Sequence, residues 1–284
     1  MKSKITAAPY LLWAVILIIL PLILVAIFAL TAAGGGASTS AVASSGGFTL
    51  ENFKNSLEYA PVIFNSIWLS IIATAICLVL AYPLAYAISR RSKKKQRTMV
   101  MLVMLPMWMN FLLRTYAWMT LLENNGLVNK FFGLFGLGPF EMINTQGAVV
   151  LGMVYDYLPF MIVPLYTVLM KMDYSLVQAA QDLGGNPFQV FTKVILPLSL
   201  PGISTGITMV FIPCVSTFVI SKMLGGGTEL MIGDLIEMQF TGSTYNQNLG
   251  SAMAFVLMVI ILICMGIMNQ FDSADEEKEG RIVV

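Results

Sequence analysis

Histidine is absent from this 284-residue chain, and its three cysteines, Cys77, Cys214 and Cys264, lie far apart within apolar runs. Zinc, haem and iron–sulfur sites need clustered His or Cys, so no metal centre is expected. Scattered thiols in such surroundings act as small hydrophobes. Charge is also scarce: Asp, Glu, Lys and Arg make up 11% of the residues, against 57% that are hydrophobic. A water-soluble core cannot hide that much apolar surface, which places the chain among polytopic membrane proteins. The phosphate-cradling pattern G-x-x-x-x-G-K-[ST] is missing too, since the glycine run "GGGTEL" at Gly225 lacks its lysine. The chain itself is therefore not expected to hydrolyse ATP. With no nucleophile–base pair or paired carboxylates in prospect, covalent catalysis is not expected either.

What is present is hydrophobic length. A membrane helix takes about 20 mainly apolar residues, and six segments provide them: 10–33, 62–88, 99–122, 148–170, 198–219 and 249–269. Short connections leave no room for a soluble domain, so the expected fold is all-α, one transmembrane domain of six helices over 1–284. Lys2 and Lys4 precede the first run, and "AVAS" at 41–44 looks like a signal-peptidase site. The run exceeds the about 7 to 15 residues of a signal peptide's apolar region, so a retained helix is expected. Residues 32–47, rich in Gly, Ala and Ser, read as an external linker.

Loop charge sets the orientation. With the N-terminus inside, Lys2, Lys4, the run "RRSKKKQR" at 90–97, Lys171, Lys193, Lys278 and Arg281 all face the cytoplasm, which is twelve of the sixteen basic residues. Both termini are then expected to be cytoplasmic. The basic run reads as a topology determinant beside the lipid bilayer, with no nucleic-acid partner.

One cytoplasmic loop, 171–197, is unlike the rest of the chain. Ser175 and Gln178 have the spacing of a capping box, and Leu176, Ala179, Ala180 and Leu183 recur on one helical face. Gly184 and Gly185 supply the freedom to end that helix, and Asn186 and Pro187 suit the start of another. Phe188, Phe191 and Ile195 form its apolar stripe, and Leu196-Pro197 is expected to turn the chain back into the membrane. The loop could lie on the lipid surface or dock in another protein's groove. Lys193 is the one basic residue between Asp173 and Pro197, which suits the second reading.

The cassette resembles the EAA loop of the membrane subunits of ATP-binding-cassette (ABC) importers: Glu-Ala-Ala, three residues, Gly, nine residues, then Ile-x-Leu-Pro. Ala179, Ala180, Gly184, Leu196 and Pro197 match; Gln178 replaces the Glu, and Val194 the Ile. "FTLENF", "NFLLRTYAW", "VYDYLPFMIVPLY" and "LGGGTELMIGDLIEMQF" extend the likeness and are most similar to spermidine/putrescine permeases of the PotB type. The resemblance implies a type I (MetI-like) permease in the bacterial plasma membrane. It implies a second permease subunit (PotC-like), cytoplasmic ATPase subunits (PotA-like) that hold the ATP and Mg²⁺, and an extracytoplasmic binding protein (PotD-like). No cofactor is expected in this chain. The loop would be the coupling element that sits in a cleft of the ATPase. Another small solute, or a self-sufficient ion-coupled carrier, are the alternatives; no internal repeat of the kind such carriers show is visible.

Two ionisable residues fall within expected spans and are functional candidates on that ground. At about 1.5 Å per residue, Arg114 lies roughly 22 Å along the third span and Asp156 roughly 12 Å into the fourth. They could form a buried ion pair. Alternatively Asp156, with Tyr155 and Tyr157, could offer charge and aromatic faces to a substrate ammonium, with Tyr116 and Trp118 nearby in sequence. Both readings stay open. Outside, Glu229, Asp234 and Glu237 are candidates for an acidic mouth that concentrates a polycation. "MIGDLIEMQF" reads as a short amphipathic helix with Ile232, Leu235, Ile236 and Gln239 on one side.

Overall fold

The computed structural model describes residues 13–31, 47–242 and 245–282, with side chains up to Ile267. Lys2, Lys4, the 41–44 motif, most of the expected linker and the side chains of Lys278 and Arg281 lie outside the described residues. Those described fold as helices with one isolated β-bridge, Thr31 to Phe48. In chain order the helices are α1 (Val15–Leu30), α2 (Glu51–Ser89), α3 (Lys93–Trp108), α4 (Phe111–Leu122), α5 (Leu127–Gly133), α6 (Gln146–Lys171), α7 (Tyr174–Asp182), α8 (Pro187–Leu198), α9 (Leu200–Ser216), α10 (Val219–Leu224), α11 (Ile232–Thr241) and α12 (Gln247–Ile282).

Apolar helices occupy all six expected segments. Helices α2, α6 and the Gln247–Ile267 part of α12 are each long and apolar enough to cross a membrane, and α1 is a shorter apolar helix. The other two segments are bent pairs, by 87° between α3 and α4 and by 66° between α8 and α9. A straight helix over 99–122 is therefore corrected. Pro106 cannot donate within α3, and Asn110 starts α4 afresh by accepting the Leu113 N–H at 3.2 Å. The depth counted along a straight helix for Arg114 falls with it. The turn expected at Leu196-Pro197 moves as well: Pro197 lies inside α8, and the bend is at Ser199.

The chain divides into two compact units, 1–65 with 231–261 and 66–230 with 262–284. In the first, two asparagine amides satisfy the carbonyls left free at the end of α1. Asn52 donates to Ala29 and Thr31, and Asn248 donates to Thr31. Phe53 and Phe255 meet edge to face at 5.9 Å. Helix α11 forms as expected and buries Ile232, Leu235 and Gln239.

In the second unit α6 packs along α9. Small residues permit the approach, as is usual where membrane helices meet. A Cβ on Gly202 would lie 3.0 Å from a Val168 methyl and 3.2 Å from the Pro164 carbonyl, and one on Gly206 would lie 2.6 Å from the Met161 sulfur. Polar residues in α2 are satisfied locally, Ser70 and Thr74 each donating to the carbonyl one turn earlier at 2.7 Å. On the other side of α6, a Cβ on Gly152 would come within 2.5 Å of Leu224 and 2.8 Å of Ile220, both in α10. Gly152→Val should therefore wedge α10 from α6 and cost about 1–3 kcal/mol. A drop in the thermal unfolding temperature of the detergent-purified protein checks it.

Candidate functional site

Three regions carry the candidate residues, and the cassette between α6 and α9 is the best defined. The expected Ser175–Gln178 capping box is not made. Asp173 caps α7 instead, accepting the Ser175 N–H at 2.9 Å, because a carboxylate also complements the positive end of the helix dipole. That hydrogen bond holds the Asp173 carboxyl below the usual carboxylate range. Its stabilising effect is thus present at neutral pH and is lost as pH falls through the lowered value.

The glycine pair divides the work of the corner. Gly184 has φ +84°, a conformation L-residues resist. It donates to Gln181 at 2.9 Å while Gly185 donates to Ala180 at 3.0 Å, which is the Schellman pattern. A Cβ on Gly185 would lie 2.7 Å from the Ala180 carbonyl. Asn186 then starts α8 with a reciprocal capping box to Gln189, as its sequence position suggests.

Val177, Val190 and Ile195 are the cassette's buried anchors. Phe188 was expected among them and is 75% exposed; Val190, whose methyl lies 3.2 Å from the Cβ position of Gly185, fills the corner in its place. Gln178 and Ala179 are exposed, Ala180, Val194 and Leu196 half-buried, and Pro197 exposed. Leu176, Ala179, Leu183 and Phe188 leave an uncovered apolar surface at the tip, with Leu183 89% exposed.

The second region is centred on Asp156. Its Oδ1 pairs with Arg114 Nε, and both side chains are buried. Arg114 also donates to the Pro106 carbonyl at 2.8 Å, and Thr115 Oγ1 lies 3.5 Å from Asp156 Oδ2. The pair thus ties the α3–α4 break to α6. Trp118 and Tyr155 meet at 5.3 Å, and the guanidinium lies 5.9 Å from the Tyr155 ring. Tyr116 is 52% exposed, and Tyr157 leans on Phe160 at 6.4 Å. Of the expected group, the structure gathers Arg114, Asp156, Tyr155 and Trp118, keeps Tyr157 within reach of both charges with its hydroxyl bonded to Thr217, and leaves Tyr116 out. Thr115 and the Pro106 carbonyl went unforeseen, although a proline four residues before an N-capping asparagine marks a break.

A cavity of about 380 Å³ opens among α3, α6 and α9, lined by Met104, Met107, Pro159, Phe160, Thr167 and Met209 among others. The Thr167 hydroxyl is spent on the Val163 carbonyl. The wall offers an ammonium no carboxylate.

The expected acidic mouth separates into unlike roles. Glu229 accepts from Gln146 at 3.0 Å. Asp234 is 3% exposed and accepts the Met231 N–H at the start of α11, so it is a cap and not an outward charge. Glu237 accepts from Thr241 at 2.7 Å.

Asp156→Asn would strand a buried guanidinium and should cost about 3–5 kcal/mol, whereas Arg114→Met with Asp156→Leu should recover most of it. Thermal unfolding of the two variants and the unaltered protein in one detergent measures this.

The chain as a whole is similar to known proteins. The chain is 37% identical over 266 residues to the spermidine/putrescine transport system permease protein PotB of Haemophilus influenzae, covering 92% of this chain and 91% of the relative. Against the Escherichia coli protein of the same name it is 35% identical, covering 75% and 79%. The E. coli inner membrane ABC transporter permease protein YdcU is 29% identical over 80% of this chain and 77% of its own length. A chain of a bacterial ABC transporter that imports the acidic polysaccharide alginate shares the fold, with a TM-score of 0.75 at 17% identity and 95% coverage of both chains. Residues 78–274, from the middle of α2 into α12 and including the whole cassette, match the family model for the inner membrane component of binding-protein-dependent transport systems, and the chain belongs to that family.

Proposed function

We propose that this chain is the membrane-spanning permease subunit of an ABC importer for polyamines, spermidine or putrescine, working by alternating access driven by a separate ATPase. The observation that carries the mechanism is the cassette, whose rigid, glycine-cornered tip leaves Leu176, Ala179, Leu183 and Phe188 uncovered. Such a tip fits an apolar cleft on a partner. The substrate class rests on the likeness to the PotB permeases, which covers most of both chains.

The partners in this reading are a PotC-like second permease, PotA-like ATPase subunits and a PotD-like extracytoplasmic binding protein. ATP and Mg²⁺ act on the ATPase, and this chain holds no ATP site of its own. Both termini and the cassette face the cytoplasm, as the twelve basic residues assigned to that side support. Asp156, engaged by Arg114 and Thr115, holds helices together and is not the ammonium's counter-charge. Trp118 and Tyr155 supply the aromatic surface beside the pathway.

Reconstitution of the chain with its ATPase, second permease and binding protein in liposomes tests this directly. Spermidine- or putrescine-loaded binding protein should stimulate ATP hydrolysis and drive uptake. Stimulation by an unrelated solute alone, or uptake by this chain without ATP, would overturn the reading. In the same assembly Gly184→Val, strained at φ +84° but with open space around it, should insert normally and lower uptake per ATP by about tenfold; normal uptake in that variant refutes the coupling role.

A further inference from the structure

Ser199 is the residue on which the α8–α9 bend turns, and its side chain is fully buried. Its N–H returns to Ile195 at 3.0 Å, its hydroxyl donates to the Leu196 carbonyl at 2.9 Å, and its carbonyl receives the Gly202 and Ile203 N–H groups at 3.0 Å. The last turn of α8 and the first turn of α9 therefore both hang on this residue. One further bond reaches it from elsewhere: the Tyr82 hydroxyl of α2, 2.8 Å from Ser199 Oγ and also buried. With the serine proton committed to Leu196, Tyr82 is the donor.

Tyr82 also touches the cassette itself. Its ring meets Phe191 edge to face at 5.3 Å and 81°, where α8 widens into a π-helical stretch, Phe191–Ile195. Such stretches are local departures from regular winding that recur at functional sites. Just past the end of α2, the Arg90 guanidinium lies over the rings of Tyr86, at 4.9 Å, and Tyr174, at 4.3 Å, the latter being the first residue of α7. The end of α2 thus grips both arms of the cassette, through a cation–π contact on α7 and through Tyr82 on α8. The contact at Ser199 differs in being buried and directional, and it falls at the bend itself.

We infer that Tyr82 is a positioning residue for transport: by donating to Ser199 it ties the bend between cassette and α9 to α2, so that a shift of the cassette moves both membrane helices together. The inference rests on the importer reading above. In Tyr82→Phe the ring and its contact with Phe191 stay, and the bond to Ser199 goes; Ser199→Ala removes the same bond from the other side, together with the hydroxyl's own bond to the Leu196 carbonyl.

Both variants and their combination are reconstituted with the ATPase, second permease and loaded binding protein, and uptake and hydrolysis are measured together. Each single variant should keep hydrolysis and lower uptake per ATP by about five- to tenfold, and the double variant should be no worse than Ser199→Ala alone, because the Tyr82 bond is already gone there. An unchanged ratio in Tyr82→Phe, effects that multiply in the double variant, or uptake and hydrolysis falling together with the yield of folded protein would each overturn the inference. If the unaltered assembly shows no ATP-driven uptake, the importer reading falls and this inference falls with it; a coupled unaltered assembly beside an equally coupled Tyr82→Phe overturns the inference alone.

Discussion

Close packing of α6 on α9 is the constraint from which the functional geometry follows. The cassette leaves the membrane at the end of α6 and returns at the start of α9, so the spacing of those two helices fixes the spacing of its roots. Gly202 and Gly206 set that spacing, since a Cβ at either would meet Val168, the Pro164 carbonyl or Met161. In an apolar solvent there is no hydrophobic drive to press helices together, and close contact between small residues has to supply the attraction. With the roots fixed, the short α7 and α8 have little choice but to fold against each other as a hairpin with one corner.

The same economy of satisfied groups explains the buried charges. An uncompensated ion in this unit would be prohibitive, and the Arg114–Asp156 pair meets that requirement with help from the Pro106 carbonyl and Thr115. A cationic substrate would find the Asp156 charge already matched. Nor does the apolar cavity beside α6 suit it, as no carboxylate lines that wall. Beside the ion pair, the Trp118 and Tyr155 rings offer aromatic faces of the kind a polyamine can use.

Hydrophobic length made the helices legible, and the cassette was legible because its signals are local: a positive-φ glycine, an Asn-Pro start and a spaced Ala-Ala pair each act over a few residues. What sequence reasoning missed depends on contacts across the chain. The 87° break after Trp108 hid behind a continuous apolar run, since hydropathy does not register that Asn110 begins a new helix. Ser175 lost the α7 cap to Asp173 because both side chains can reach a free N–H, and the carboxylate is the stronger acceptor. Phe188 lost its core place to Val190 because the glycine corner leaves room for a small side chain only. Asp234 looked like an outward charge, and its burial follows from capping α11, a role that a sequence shared between cap and mouth cannot distinguish.

Rigid caps and a single weak point together decide how a push on the cassette would travel. The backbone N–H groups of its corner, from Leu183 to Asn186, each have a partner: the Ala179 carbonyl, the Schellman bonds of Gly184 and Gly185, and the Asn186–Gln189 box. A load at Leu183 or Phe188 therefore cannot be absorbed by opening the corner without breaking several hydrogen bonds at once. It passes to the π-helical stretch and the bend at Ser199, where winding is already irregular. There the buried Tyr82 hydroxyl converts a hinge that could flex freely into one linked to α2. Gln178 in place of the family's acid fits this division of labour: the tip needs shape and apolar surface to be held, while the direction of the response is set at the root.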